Sequence, residues 1–410
     1  MKIRLSLPQK LLLPLLTAYY SLNFMDRSVL GIVGETMKND MGFSDAQLGL
    51  LHSILLITLI LLIFPCSVLN DIFKRRFTIG AGAGIWSLGM ALTASASGFA
   101  GLVCARILGS ANEALTGSGG TAWLATMYPV EKRGRVLGVF QMAAPLGMAL
   151  GTLLGCAALA FAGSWRLAFA LLAVPALAAG FCIPRLPDSQ PAPSAGFFSG
   201  IPAVLRSRTI LLAALATGFF SIIKYSYQAW MPVLLIRSYH LDAAYAGPLA
   251  ACFLLAGAAG PFLGGMVADA WSARSPAGRM KAAAVLLVLV VVSKAVFYLL
   301  LGRVPLPVMF AAGIIDGVIM MTPIPVYFSC VQDVTSPRYR GTATGVFGTL
   351  VFLTGGAWGP LMVGLLSDWF GGGAAGLHLA MASLVAFAVM SACIYFAAVK
   401  PYVREKAAQG

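Results

Sequence analysis

Long apolar runs alternate along this chain with short polar connections. Twelve runs stand out, at about 11–34, 47–69, 77–97, 100–127, 136–162, 165–183, 209–236, 245–270, 281–301, 305–331, 341–369 and 375–398. Each approaches or exceeds the roughly 20 residues that a helix needs to cross a lipid bilayer. The ten-residue alternation of membrane strands is absent. Most runs are rich in Gly and Ala, which let helix backbones approach closely where hydrophobic burial no longer drives association. The pattern predicts an all-α membrane protein of twelve transmembrane helices.

Composition strengthens that expectation. Hydrophobic residues make up 59% of the 410 positions, charged residues 10%, and mean hydropathy is +0.88. Soluble domains carry about 25% charged residues, so this alphabet is too poor in charge to coat a water-soluble surface. Disordered, collagen-like and disulfide-rich classes are excluded on the same ground. Cys66, Cys104, Cys156, Cys182, Cys252, Cys330 and Cys393 are scattered through apolar runs without paired spacing. They read as small core residues. His52, His240 and His378 are too dispersed for a metal centre, and no Walker A sequence offers ATP as an energy source. No metal or cofactor is expected. The first apolar run continues for about 24 residues, which is long for a cleavable signal.

The formal charge of +14 would suggest nucleic acid in a soluble protein. Here its distribution points to the membrane instead. With the N-terminus inside, 20 of the 28 Lys and Arg residues fall in cytoplasmic loops and tails, among them Lys74, Lys132, Arg133, Arg135, Arg274, Arg279, Lys281, Arg338 and Arg340. Outer loops hold four: Lys38, Arg166, Arg237 and Arg303. This bias predicts both termini in the cytoplasm, in a bacterial inner membrane.

The stretch 184–208 carries Pro184, Pro187, Pro191, Pro193 and Pro202 and reads as a cytoplasmic linker. It separates an N-terminal six-helix bundle (1–183) from a C-terminal one (209–410). The halves echo each other. Arg133-Gly134 before Gly138-Val139-Phe140 recurs as Arg340-Gly341 before Gly345-Val346-Phe347, and Asp71 after span 2 has a counterpart in Asp269 after span 8. Repeated halves are the architecture of transporters that rock around a central cleft.

A charge at the bilayer centre costs at least about 2.5–3.5 kcal/mol, so each needs a partner or a wet cavity. Helix counting puts Asp26, Arg27, Glu113, Lys224, Lys294 and Asp316 near mid-depth. Arg106 lies about two turns from Glu113 on the same face of span 4. Glu113 has no basic residue at i±3 or i±4, so its partner must come from another span. A carboxyl whose cation can move away is suited to carrying a proton. The competing reading is a permanent Arg27–Glu113 or Arg106–Asp26 ion pair that only holds the bundle together. Lys294 and Asp316, on consecutive spans, fit mutual neutralisation.

Several motifs are similar to those of a known family. Basic loops follow spans 2, 4, 8 and 10. The loop after span 2 keeps Asp71 and Arg75-Arg76 of the signature G-x-x-x-D-[RK]-x-G-[RK]-[RK], but has Ser67, Ile72 and Lys74 at three other positions. Span 1 carries Asn23-Phe24-Met25-Asp26-Arg27-Ser28, and span 4 Arg106-x-x-Gly109-x-x-x-Glu113. Pro145-Leu146-Gly147 lies in span 5, and Ser164-Trp165-Arg166 opens span 6. Together these resemble the major facilitator superfamily, in its spinster-like branch or the similar branch of organic anion:cation (proton) symporters. The G-x-x-x-G-P-x-x-G-G motif of drug:proton antiporters is not met around Pro145.

The resemblance implies a monomeric secondary transporter, not an enzyme, working by alternating access. The symporter branch implies a small organic anion as cargo. The spinster branch implies a lysophospholipid or sphingoid phosphate drawn laterally from membrane lipid. Either implies Asp26 and Glu113 as proton-coupling groups with Arg27 as their switchable counter-ion. Spans 1, 4, 7 and 10 would then face the cavity, making Arg27, Arg106, Lys224, Tyr225 and Asp316 candidate substrate contacts. Asp71, Arg75, Arg76 and Asp269 would form a cytoplasmic gate between spans 2 and 11.

Overall fold

A computed structural model describes residues 7–128, 136–137, 139–188, 197–336 and 340–408. The repeat residues Arg133, Gly134 and Gly138, with Lys132, Arg135 and Arg338, lie outside them. Twelve long helices carry the chain: α1 Leu7–Met41, α2 Asp45–Ile72, α3 Arg75–Ser95, α4 Phe99–Met127, α5 Ala143–Ala162 and α6 Trp165–Cys182. After them come α7 Arg208–Tyr239, α8 Ala243–Arg274, α9 Gly278–Leu300, α10 Leu306–Asp333, α11 Thr342–Trp369 and α12 Gly373–Ala407. The molecule is an all-α integral membrane protein of the twelve-span kind that the apolar runs predict.

Among the described residues, ten of the helices are long and apolar enough to cross a membrane by length and composition. The other two, α1 and α4, are 35 and 29 residues long. Length is therefore not what holds them back. They carry Asp26, Arg27, Arg106 and Glu113, which lower their hydropathy. The two helices that fall short are thus the two that each carry a pair of mid-span charges.

Several helices are interrupted. A 3-10 turn at Gly257–Ala259 breaks α8 just before Pro261, α10 breaks at Pro323, and α11 contains a π-helical stretch at Phe352–Gly356. Proline cannot donate the helical hydrogen bond, and π segments insert an extra residue into the ladder, so each break follows from local chemistry. Within the stretch expected as linker, Phe197–Arg206 forms a ten-residue helix, with Pro202 inside it.

The chain divides into two compact units. Unit 1 comprises 1–43, 54–194 and 243–248, and unit 2 comprises 44–53, 195–242 and 249–410. Two helices are thus shared, since α2 begins in unit 2 and α8 begins in unit 1. In unit 1, glycines of α5 lie directly on the α1 backbone. A Cβ on Gly147 would stand 2.1 Å from the Ser21 carbonyl oxygen, and one on Gly151 2.4 Å from that of Met25. In unit 2, the same close approach joins α7 to α11 through Gly218, Gly355 and Gly359. Large apolar side chains such as Phe161, Val174 and Phe262 are exposed, as side chains that face lipid are.

Candidate functional site

The intramembrane charges of unit 1 form two ion pairs between α1 and α4. Arg106 Nη1 lies 2.8 Å from Asp26 Oδ1, and both side chains are 3% exposed. Arg27 Nη2 reaches both oxygens of Glu113, at 2.5 and 2.6 Å. That second pair is more open, at 26% and 13% exposure. Neighbouring residues on a helix project about 100° apart, so Asp26 and Arg27 reach different partners although they are adjacent. The two pairs differ in how far water reaches them. A pair sealed from water has no proton source, whereas one that water reaches can exchange its proton.

The Arg106 guanidinium also lies over the Phe169 ring, 5.4 Å from its centroid. Arg106 is thus sealed between α1 and α4, with its Nη2 buried and without a hydrogen-bond partner among the described residues. Beside it runs a buried amide network that hydropathy does not mark. Tyr19 donates its hydroxyl proton to Asn112 Oδ1, Asn112 Nδ2 donates to Asn23 Oδ1, and Asn23 Nδ2 donates to the Tyr19 carbonyl at 3.0 Å. Thr116 Oγ1 donates to the same Asn112 oxygen at 3.1 Å. The available sequence signal is spacing. Tyr19/Asn23 and Asn112/Thr116 are i, i+4 polar pairs in otherwise apolar helices, so each pair shares one face.

In unit 2, Lys224 of α7 is half-buried, with Nζ 4.6 Å from the Tyr225 ring centroid. Among the described residues no carboxylate lies within ion-pairing distance of it. Tyr225 packs 5.6 Å from Phe352 in the π stretch of α11. A mid-span ammonium with an aromatic wall and no counter-ion can receive an anion. Asp316, the other candidate contact in this unit, is buried in an ion pair. It is 2% exposed, and Lys294 Nζ approaches its Oδ2 at 2.6 Å. This is the mutual neutralisation open to the pair from its position on consecutive spans.

The expected gate residues make contacts inside their own units. Arg75 is buried and its Nη1 donates to Thr126 Oγ1 at 3.3 Å. The Arg76 main-chain N–H donates to Asp188 Oδ2 at 3.0 Å, and its guanidinium lies over Phe77. Asp188 thereby caps the start of α3, where unpaired N–H groups favour a negative charge. Asp269 pairs with Arg279 at 3.1 Å, and Arg279 pairs also with Asp333 at 2.7 Å. The Asp71 side chain lies outside the described residues.

A second polar clasp in unit 2 joins residues that no motif connects. Asp45, fully buried, takes both Nη groups of Arg237 at 2.8 and 2.7 Å and the Ser367 hydroxyl at 2.6 Å. Asp368 caps the first turn of α2, accepting the N–H groups of Asp45 and Ala46 at 3.0 and 2.8 Å. A Cβ on Gly364 would stand 2.2 Å from the Asp45 carbonyl oxygen, so only glycine admits this approach.

Comparison with known proteins matches residues 16–360 to the family model described as Major Facilitator Superfamily. The hexuronate transporter of Bacillus subtilis (strain 168) is 26% identical over 369 residues, covering 85% of this chain and 86% of that protein. Human protein spinster homolog 1 is 25% identical over 234 residues, which cover 53% of this chain and 44% of that protein. Among solved structures, a bacterial homolog of the human lysosomal transporter spinster superposes with a TM-score of 0.86 at 23% identity, covering 98% of this chain and 99% of that one. At that identity the likeness speaks for the fold.

Proposed function

The chain belongs to the major facilitator superfamily and is a secondary transporter rather than an enzyme, and from that premise we propose that it carries a small organic anion of the sugar-acid kind, coupled to protons. The observation that carries this reading is Lys224, a mid-span ammonium with no carboxylate partner among the described residues. An anionic cargo supplies the missing charge. The hexuronate relative, similar over most of both chains, supports the sugar-acid class. Tyr225 offers a ring wall and a hydroxyl beside the ammonium.

Proton coupling belongs to Glu113, with Arg27 as its switchable partner. The Arg27–Glu113 pair is the more exposed of the two in unit 1. While the guanidinium stays beside it, the carboxylate is stabilised. When the guanidinium turns away, as toward an arriving anion, low dielectric favours the protonated carboxyl. Asp26 keeps Arg106 fixed and so holds α1 in register with α4. The 20-to-4 distribution of basic residues supports both termini on the cytoplasmic side. The bacterial origin of the hexuronate relative supports an inner membrane, and the unit acts as a monomer. A lysolipid cargo of spinster type is the competing outcome.

Proteoliposomes given labelled hexuronates and, separately, labelled lysophospholipids test the reading. An inward proton gradient of one pH unit is expected to drive about tenfold hexuronate accumulation per proton carried. Glu113→Gln is expected to lose that accumulation and keep counterflow. Gradient-driven uptake that survives in the variant would overturn the coupling role, and uptake of lysolipid alone would choose the other cargo. Lys224→Met removes a charge-assisted contact of about 1.5–3 kcal/mol, so its apparent affinity for hexuronate should fall roughly 10- to 100-fold. An unchanged KM would remove Lys224 from the cargo site.

A further inference from the structure

The polar clasp at Asp45 joins helix ends to which the proposed function gives no part. Asp45 stands in the first turn of α2, Arg237 in the last turn of α7, and Ser367 and Asp368 in the last turn of α11. The distribution of basic residues supports the outer side of the membrane for all of them. Of α2, residues up to Ser53 belong to unit 2 and the rest to unit 1. The clasp therefore holds only the start of a helix whose remaining length packs elsewhere.

The contact is built from caps and bare backbone. At one end, the Asp368 carboxylate accepts the N–H groups of Asp45 and Ala46. At the other, Ser53 Oγ accepts the Leu361 N–H at 2.9 Å, where α11 restarts after its π stretch. Between them, a Cβ on Gly49 would stand 2.5 Å from the Pro360 carbonyl oxygen, and one on Gly364 2.2 Å from that of Asp45. Such a contact parts without pulling large side chains out of a packed core. The first turn of α2 also has caps of its own. Gln47 N–H donates to Ser44 Oγ at 3.2 Å and Ser44 N–H to Gln47 Oε1 at 3.0 Å, a reciprocal box that does not involve α11. Ser44 and Asp368 are exposed, which places the clasp at the aqueous boundary. Charges parted at mid-span meet lipid, whereas charges parted here meet water.

We propose that Asp45, Arg237, Ser367 and Asp368 form an outer latch, which holds the start of α2 on α7 and α11 in the conformation of this structure and opens in every transport cycle. The four are positioning residues and touch no cargo. The inference rests on the proposed transport by alternating access and not on the cargo. On opening, the start of α2 moves with the rest of that helix, and the capping box keeps its first turn wound. The N–H groups of Asp45 and Ala46 turn to water. Arg237 keeps the Gly373 carbonyl, which its Nη1 holds at 3.2 Å.

Fastening the contact tests the proposal. The Ser367 hydroxyl lies 2.6 Å from Asp45 Oδ2, so Asp45→Cys with Ser367→Cys brings two thiols together. In proteoliposomes with labelled glucuronate as the probe, oxidation of this paired variant is expected to stop uptake and a reductant to restore it. Neither single variant should respond to oxidation. A cross-linked protein that transports as well as its reduced form overturns the inference, because a merely structural contact tolerates permanent fastening. Alkylation at residue 53, read by peptide mass, follows the latch without cargo and decides the matter if the cross-link does not form. Ser53 is fully buried, so Ser53→Cys reacts with a maleimide only as the latch opens. Adding Asp45→Asn is expected to speed that reaction about tenfold or more, the change that losing a charge-assisted contact produces. An unchanged rate overturns the inference. A parent protein that moves no glucuronate, with alkylation still responding to Asp45→Asn, overturns the proposed cargo and leaves the latch standing.

Discussion

Asp316→Leu alone is expected to cost about 3–5 kcal/mol of stability, whereas Asp316→Leu combined with Lys294→Met should fall within about 1–2 kcal/mol of the parent protein. The asymmetry follows from burial. Lys294 is 0% exposed and its carboxylate partner 2%. Removing Asp316 leaves a fully buried ammonium without the carboxylate that neutralises it, against the faces of Tyr227 and Phe297. Removing both charges takes away the attraction and the desolvation penalty together, and the two nearly cancel in a buried pair. Thermal unfolding of the purified protein in detergent, run as a double-mutant cycle, checks the expectation. A paired variant as unstable as Asp316→Leu would show that the charges themselves hold α9 to α10. Arg27→Met should cost less than Asp316→Leu, because its partner Glu113 is 13% exposed and can be hydrated or protonated once the guanidinium is gone.

The helices were legible in the sequence for a simple reason. A run of some 20 apolar residues has one favourable way to satisfy its backbone in lipid. Positions of charge were equally legible, since a residue's depth follows from counting along its helix. The pairs Arg27–Glu113, Arg106–Asp26 and Lys294–Asp316 were among the alternatives open from the sequence, and the structure forms all three, but the choice between pairing and separate roles was not legible. Arg106 and Asp26 are 80 residues apart, and Glu113 and Arg27 are 86 apart. Which acid meets which base depends on the rotation of α1 against α4, and a one-residue difference in rotation turns a side chain by about 100°. Arg237 illustrates the same limit, since it reads as an ordinary outer-loop charge yet grips Asp45, 192 residues away. The Asn23–Asn112 network was hidden for another reason: amide side chains carry no formal charge, so a search for intramembrane charges passes over them. The exposure of each pair, on which the division between brace and proton carrier rests, depends on packing by α6 and other neighbours. No local pattern encodes it.

That rotation is set in turn by backbone contact behind the ion pairs, where a single methyl group should have a large effect. Gly147, Gly151 and Gly155 recur at i, i+4 spacing and form one face of α5 against α1. At Gly151 a Cβ would stand 2.4 Å from the Met25 carbonyl oxygen and 2.6 Å from its Cα, one residue before Asp26. Real contacts of this kind are not found below 3.0 Å, so Gly151→Ala forces α1 away from α5 by at least 0.6 Å, the difference of the two distances. A carbonyl cannot rotate out of the way as a side chain tip can, because it belongs to the helical ladder. Overpacking of this kind costs about 1–3 kcal/mol. The displacement acts on the segment that holds Asp26 to Arg106 and Arg27 to Glu113, so proton-driven uptake should fall together with stability. Gly84→Ala is the matched control. Nothing lies within 4 Å of a Cβ at Gly84, and alanine is the better helix former by about 1 kcal/mol. Gly84→Ala should therefore melt at or slightly above the parent temperature and transport normally. If Gly151→Ala also melted and transported like the parent, α1 would be free to shift on α5, and the ion pairs alone would have to set the register between α1 and α4.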